Sequence, residues 1–153
     1  MHIGHDTCTE CHITDDDSNS NAIEQITEEK DLGVYITADL KHSTQCVRAA
    51  VKARSVMGMV RRNFRRLDKE DFLLINKTYT RPLMEYCVQA WSPYLKKDIE
   101  CLEKVQRSAT KMVHELCYLS YEQRLWHLEL TTLKERRIKG GLIETFKTMT
   151  GKE

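Results

Sequence analysis

Three groups of side chains in this sequence have the types and spacing that could do chemistry. His2, His5, Cys8, Cys11 and His12 fall three apart and then adjacent, and every one is a zinc-ligand type. Zinc sites usually draw ligand pairs from two separate segments, because so short a run leaves little chain to wrap tetrahedrally around the ion. The expectation is a polar hairpin carrying incidental His and Cys, with no metal and no cofactor. Cys8 with Cys11-His12 also copies the haem-attachment spacing, but no export signal accompanies it. Asp15, Asp16 and Asp17 are adjacent carboxylates of the kind that hold catalytic metal ions. They sit in a stretch of Asp, Ser and Asn that reads as a solvated loop. The third group is cationic: Arg48, Lys52, Arg54, Arg61, Arg62, Arg65 and Arg66. Guanidinium forks match phosphate oxygens, so the chemistry they suggest is recognition of a polyanion.

The elements that must position these groups follow from periodicity. Cys46, Ala50, Ala53, Met57, Val60, Phe64 and Leu67 step by four and three, an apolar seam that predicts one helix over 43–67, capped by Ser43 or Thr44. The cations lie off that seam, and within 43–67 no acid stands three or four residues away to relieve their repulsion. Asp68 is expected to cap a second helix with Phe72, Ile75, Tyr79 and Leu83 inward, ending or kinking at Arg81-Pro82. Beyond Pro93, Ile99, Leu102, Val105, Ala109, Met112 and Leu116 define another inward face. Glu100 with Lys104, and Glu103 with Arg107, are spaced as helical ion pairs. Ser120-Tyr-Glu-Gln123 and Thr132-Leu-Lys-Glu135 read as capping boxes for a short helix through Leu125 and a last one running toward Met149, interrupted by Gly140 and Gly141. Before all of these, Leu32, Val34 and Ile36 alternate as a strand would. Tyr86, Trp91 and Tyr94 are types that stack on bases, but beside Leu83, Cys87 and Ala90 they read as core.

Net charge is +1, yet the charges are segregated. Residues 1–39 hold ten acids and one lysine, 40–67 eight bases and no acid, and 68–153 fifteen bases and thirteen acids. Such segregation marks a basic working surface that the net charge hides. With neither a signal peptide nor a long apolar run, the sequence reads as intracellular, nuclear or cytoplasmic, with no membrane partner. The six cysteines are expected to be reduced and mostly buried.

Five short motifs in one order resemble the C-terminal part of reverse transcriptases from non-LTR retrotransposons, the jockey and CR1-like LINE elements. They are Asp31-Leu-Gly-Val34; Ala49 to Ala53 with Lys52; Arg81-Pro-Leu-Met-Glu-Tyr-Cys87 with Gln89-Ala-Trp-Ser-Pro93; Leu102-Glu-Lys-Val-Gln-Arg107; and Tyr121-Glu-Gln-Arg-Leu125 followed by Leu133 to Arg137. The resemblance implies the end of a palm over 1–40 and a helical thumb over 41–153. It also implies that the family's aromatic-x-Asp-Asp turn and its third carboxylate lie upstream of Met1, so Asp15 and Asp16 are not that pair.

Together these readings give a mainly α chain: a bundle of about five helices with a small N-terminal β hairpin, α+β overall. The expected function is gripping the backbone of a template–primer, an RNA–DNA hybrid or RNA, without catalysis by this chain itself. The palm and fingers of the parent polymerase would be its partners. The expected contacts are Arg48, Lys52, Arg61, Arg62, Arg65, Arg66, Lys104, Arg107 and Lys111. A helical module that docks a protein along the Cys46–Leu67 seam is the alternative, and a zinc-dependent regulator built on His2 to His12 is a third reading.

Overall fold

Two hairpins precede the helices in the computed structural model, which describes residues 12–14, 20–23 and 26–151. Strand β1 (His12–Thr14) pairs antiparallel with β2 (Ser20–Ala22), and β3 (Glu28–Asp31) with β4 (Val34–Thr37). The second hairpin turns on Leu32 and Gly33, both at positive φ (44° and 87°), as a two-residue type I′ loop requires. Leu32 therefore sits in an exposed turn rather than in the strand expected of it. Only Val34 of this hairpin is buried, against α1 (Ser43–Asn63). The Tyr86 hydroxyl donates to the Leu32 carbonyl at 3.0 Å. The Gln45 side-chain oxygen accepts from the Tyr35 N–H at 3.1 Å.

Helix α1 buries Cys46, Ala49, Ala50, Ala53 and Met57. Small side chains over three turns let its backbone come close to α5 (Lys96–Thr110), which presents Leu102, Val105 and Ala109. The two helices run parallel. At their N-terminal ends Ser43 Oγ donates to the buried Asp98 carboxylate at 2.7 Å. Beyond their C-terminal ends Leu67 bridges Val113 in parallel register. The bond to Asp98 is also why Ser43 does not cap α1. His42 occupies the cap position, and a carboxylate on α5 takes the hydroxyl instead. The helix stops at Asn63, short of the expected Leu67, because Phe64 turns extended. Leu67 is buried from the following bend while Phe64 is half exposed. Cys46, Ala50, Ala53, Met57 and Leu67 of the seam are thus packed into the chain's own core, while Val60 and Phe64 are partly open.

Helix α2 (Lys69–Ile75) runs through a π-helical turn (Asn76–Thr80) into α3 (Arg81–Glu85) as one continuous rod. Asp68 stands at the expected cap position, though its side chain makes no capping bond. The chain neither ends nor breaks before Pro82. Arg81 N–H bonds back to Asn76 in the wider turn, and Pro82, which has no N–H, falls in the first turn of α3. The extra residue rotates the face. Phe72, Asn76, Thr80 and Met84 point inward, and Tyr79, expected inside, points to solvent. Cys87 at φ 51° then makes a sharp corner into the single turn α4 (Val88–Trp91). Trp91 is fully buried, its indole N–H donating to the Tyr86 carbonyl at 2.7 Å.

A three-residue 3-10 turn at His114–Leu116 leads to α6 (Tyr121–His127) and α7 (Leu133–Thr150). The capping box at Ser120 and Gln123 forms in both directions, whereas at Thr132 only the bond from Glu135 N–H forms. Glu103 is buried rather than paired with Arg107. It accepts from the Tyr121 hydroxyl and from the Leu133 N–H, the first amide of α7, at 3.2 Å. A carboxylate is favoured there by the helix dipole. Burial, then the bond to Glu103, pushes the Tyr121 phenol upward, so it stays a donor. Glycines 140 and 141 do not interrupt α7, which is continuous through both. Of the described cysteines only Cys46 is buried; Cys101 and Cys117 are half-buried and Cys87 is exposed.

Two expectations follow. Ala53→Leu forces three extra carbons between α1 and α5 and should lower stability by about 1–3 kcal/mol, read as a reduced midpoint in urea. Burial, with Asp98 and Cys101 adding to it, pushes the Cys46 thiol up to about 12. A raised value leaves almost no thiolate at about pH 8, so iodoacetamide should modify Cys87 quickly and Cys46 only on unfolding, as followed by peptide mass spectrometry.

Candidate nucleic-acid interface

The segregated charges do not form one row along α1. Arg48 is taken up by the hairpin: its guanidinium lies 2.5 Å from the Glu28 carboxylate and 3.9 Å from the centre of the Tyr35 ring. Sequence spacing along the helix misses Glu28, because it lies twenty residues away and arrives only through the fold of β3. Lys52 and Arg54 are exposed on α1, without an ion pair among the described residues. On α5, Lys104 is exposed and does not pair with Glu100. Glu100 instead accepts from Arg107 at 3.0 Å, and Arg107 also lies over the Tyr121 ring at 5.1 Å.

The remaining cations gather at one end. Arg61 and Arg62 occupy the last turn of α1, Arg65 and Arg66 the bend after it, and Lys111 the C-cap of α5. Because α1 and α5 are parallel, their C-terminal ends converge, and a polar cleft of about 550 Å³ opens between them. Arg61, Arg65, Ser108 and Lys111 line it, with Phe64, Leu67 and Met112 as its apolar parts. Ser108 was not among the expected contacts. It stands three residues before Lys111, so the helical period alone would have placed it on the same side. All five cations are exposed, and none forms an ion pair among the described residues.

Helix ends supply part of the reason for this cluster. Each C-terminus carries the equivalent of about half a negative charge, so two together ask for about one cation. The end of α5 is already served by the buried Arg124, which donates to the Arg107 and Leu119 carbonyls and to Thr110 Oγ1. Five cations therefore exceed what the two helix ends need.

The aromatic candidates lie elsewhere. Trp91 is core, as expected, but Tyr86 and Tyr94 are exposed, Tyr94 standing edge-on to His42 with ring centres 6.4 Å apart. His42 precedes α1 and Arg61 lies in its last turn, about 28 Å further along at 1.5 Å per residue. Stacking side chains and the phosphate-type cations thus occupy opposite ends. Of the zinc candidates only His12 lies within the described residues, in β1; His2, His5, Cys8 and Cys11 lie outside them, as do Asp15 to Asp17. No group of three or more His, Cys, Asp or Glu side chains placed to hold a metal ion occurs among the described residues. Among them no helix is long and apolar enough to cross a membrane. No family model, curated protein or solved structure matches the chain.

The two kinds of arginine should respond differently to substitution. Arg48→Gln removes a half-exposed ion pair and a cation–π contact, and should cost up to about 1 kcal/mol in urea unfolding. Arg62→Gln should stay within about 0.5 kcal/mol of the parent.

Proposed function

We propose that the chain is a thumb-like, backbone-gripping part of a retrotransposon-type reverse transcriptase, holding a template–primer duplex while catalysis belongs to the parent polymerase's palm. One observation carries the reading: Arg61, Arg62, Arg65, Arg66 and Lys111 gather where two parallel helices end, with no ion pair among the described residues. Four arginine forks and one ammonium at such an edge suit phosphate oxygens better than any single small anion. Being exposed, they lose little hydration before a ligand arrives, which favours association through released counterions over base readout. The resemblance of Arg81–Pro93, Leu102–Arg107 and Tyr121–Leu125 to the family supports the same assignment. Lys52, Lys104 and Arg107 are secondary in this reading. Arg48 drops out, because its guanidinium is already committed to Glu28.

Binding should be weakly sequence-dependent and strongly dependent on salt. Four to five phosphate contacts on a duplex imply a log K versus log [salt] slope of about −3.5 to −4.5. Replacing Arg61, Arg62, Arg65 and Arg66 by Gln keeps helix propensity and the core. Circular dichroism should therefore be unchanged, while affinity falls for every sequence and the slope shrinks by about one unit per lost contact. Arg48→Gln should leave the slope as it was. Anisotropy on a labelled RNA–DNA hybrid across a salt series reads all three proteins. A parent chain that shows no binding at low salt would sink the proposal.

A further inference from the structure

Arg137 is a buried cation that no hydrogen bond or ion pair holds among the described residues. It is 8% exposed, and its Nη2 is shut off from solvent with no hydrogen-bond partner among the described residues. The acids closest to it electrostatically, Glu103 and Glu85, are engaged elsewhere. Glu103 serves Tyr121 and Leu133, and Glu85 takes both arms of Arg136 at 2.6 and 3.0 Å. Arg124, comparably buried, shows the contrast, because it donates to two carbonyls and a hydroxyl. A buried guanidinium without such partners is costly to the free protein, and a ligand that supplies the missing acceptor recovers that cost.

Arg137 also lines a cleft of about 450 Å³ between α4 and the C-terminal half of α7. Val88 and Met149 give it apolar wall, Ser92 and Thr148 give hydroxyls, and Gly141 leaves the space open. A Cβ added at Gly141 would meet nothing within 4 Å. Glu144 lines the cleft too, in an ion pair with Lys147 at 3.7 Å, so a doubly charged group such as a phosphate monoester is disfavoured. We propose that this cleft binds a monocarboxylate with a short apolar body, its carboxylate meeting the Arg137 guanidinium and its hydrocarbon lying against Val88 and Met149. The site shares no residue with the basic cleft between α1 and α5 and is independent of the nucleic-acid reading.

Titration of the ¹⁵N-labelled full chain with octanoate tests this. Saturable shifts should centre on Val88, Gln89, Ser92, Gly141 and Thr145, and octanol at the same concentrations should give none. A short apolar peptide with a free C-terminus, run beside its amidated form, separates the two sources of such a carboxylate. Binding of the free form alone points to a chain terminus, and binding of octanoate alone points to a small amphiphile. Arg137→Met should weaken binding about tenfold or more while the melting temperature of the free protein holds or rises, since an unpaired buried charge has been removed. Gly141→Leu should fill the cleft with the guanidinium untouched and weaken binding as much. No saturable shift with either carboxylate overturns the proposal, as does full binding by Gly141→Leu or a lower melting temperature in Arg137→Met.

Discussion

The close parallel packing of α1 on α5 is the constraint from which the rest of the structure follows. Cys46, Ala49, Ala50 and Ala53 project so little that the two backbones approach closely, and Leu102, Val105 and Ala109 fill what space is left. Parallel helices cannot be joined by a short turn. The intervening chain must travel back along the bundle before α5 begins, and the rod from Lys69 to Glu85 makes that return. Trp91 and the corner at Cys87 then redirect the chain toward the start of α5, where Asp98 fastens to Ser43. A larger residue on the small face would disturb not one contact but the register of both helices.

The same arrangement creates an electrostatic problem, and the fold answers it with buried ions. Two helix C-termini face one way, and Arg124 sits inside the protein, donating to the Arg107 carbonyl in the last turn of one of them. Glu103 does the opposite service for the N-terminus of α7 while holding the Tyr121 hydroxyl. Buried charges of this kind contribute little net stability against an apolar alternative. What they supply here is geometry, since each fixes two elements that share no sequence neighbourhood. Arg137 lacks such a hydrogen-bond partner among the described residues, which sets it apart from the other two.

Function on this reading grows out of the same constraint. Ending two parallel helices side by side gathers cations that a single helix would have spread around its circumference. The exposed edge carries more positive charge than the helix ends require, with apolar flanks from Phe64 and Met112 rather than acids. The hairpin at the opposite end is quite different in character. Glu28 and Tyr35 neutralise and cover Arg48 there, so the surface beside β3 and β4 is not a continuation of the basic edge.

Much of this was legible in the residues alone. Periodicity of three and four marks the inward faces of α1 and α5, because a helix turns by a fixed angle per residue and apolar spacing reports that angle. The box at Ser120 and Gln123 is equally local: both partners lie within one turn, and the amides they satisfy exist in any helix that starts there. The sequence also determined the helical class, the small hairpin and the segregation of charge. Tertiary structure decided what depends on segments distant in the chain. Glu28 reaching Arg48, Asp98 drawing Ser43 away from its cap, and Glu103 turning inward from Arg107 all join residues that no spacing rule connects. The π turn before Pro82 shifted the buried face from Tyr79 to Thr80, because one extra residue rotates everything after it and periodicity assumes none is inserted. The convergence of Arg61, Arg65 and Lys111 belongs to the same class. Each was visibly cationic, but only the parallel packing of α1 and α5 put them around one cleft.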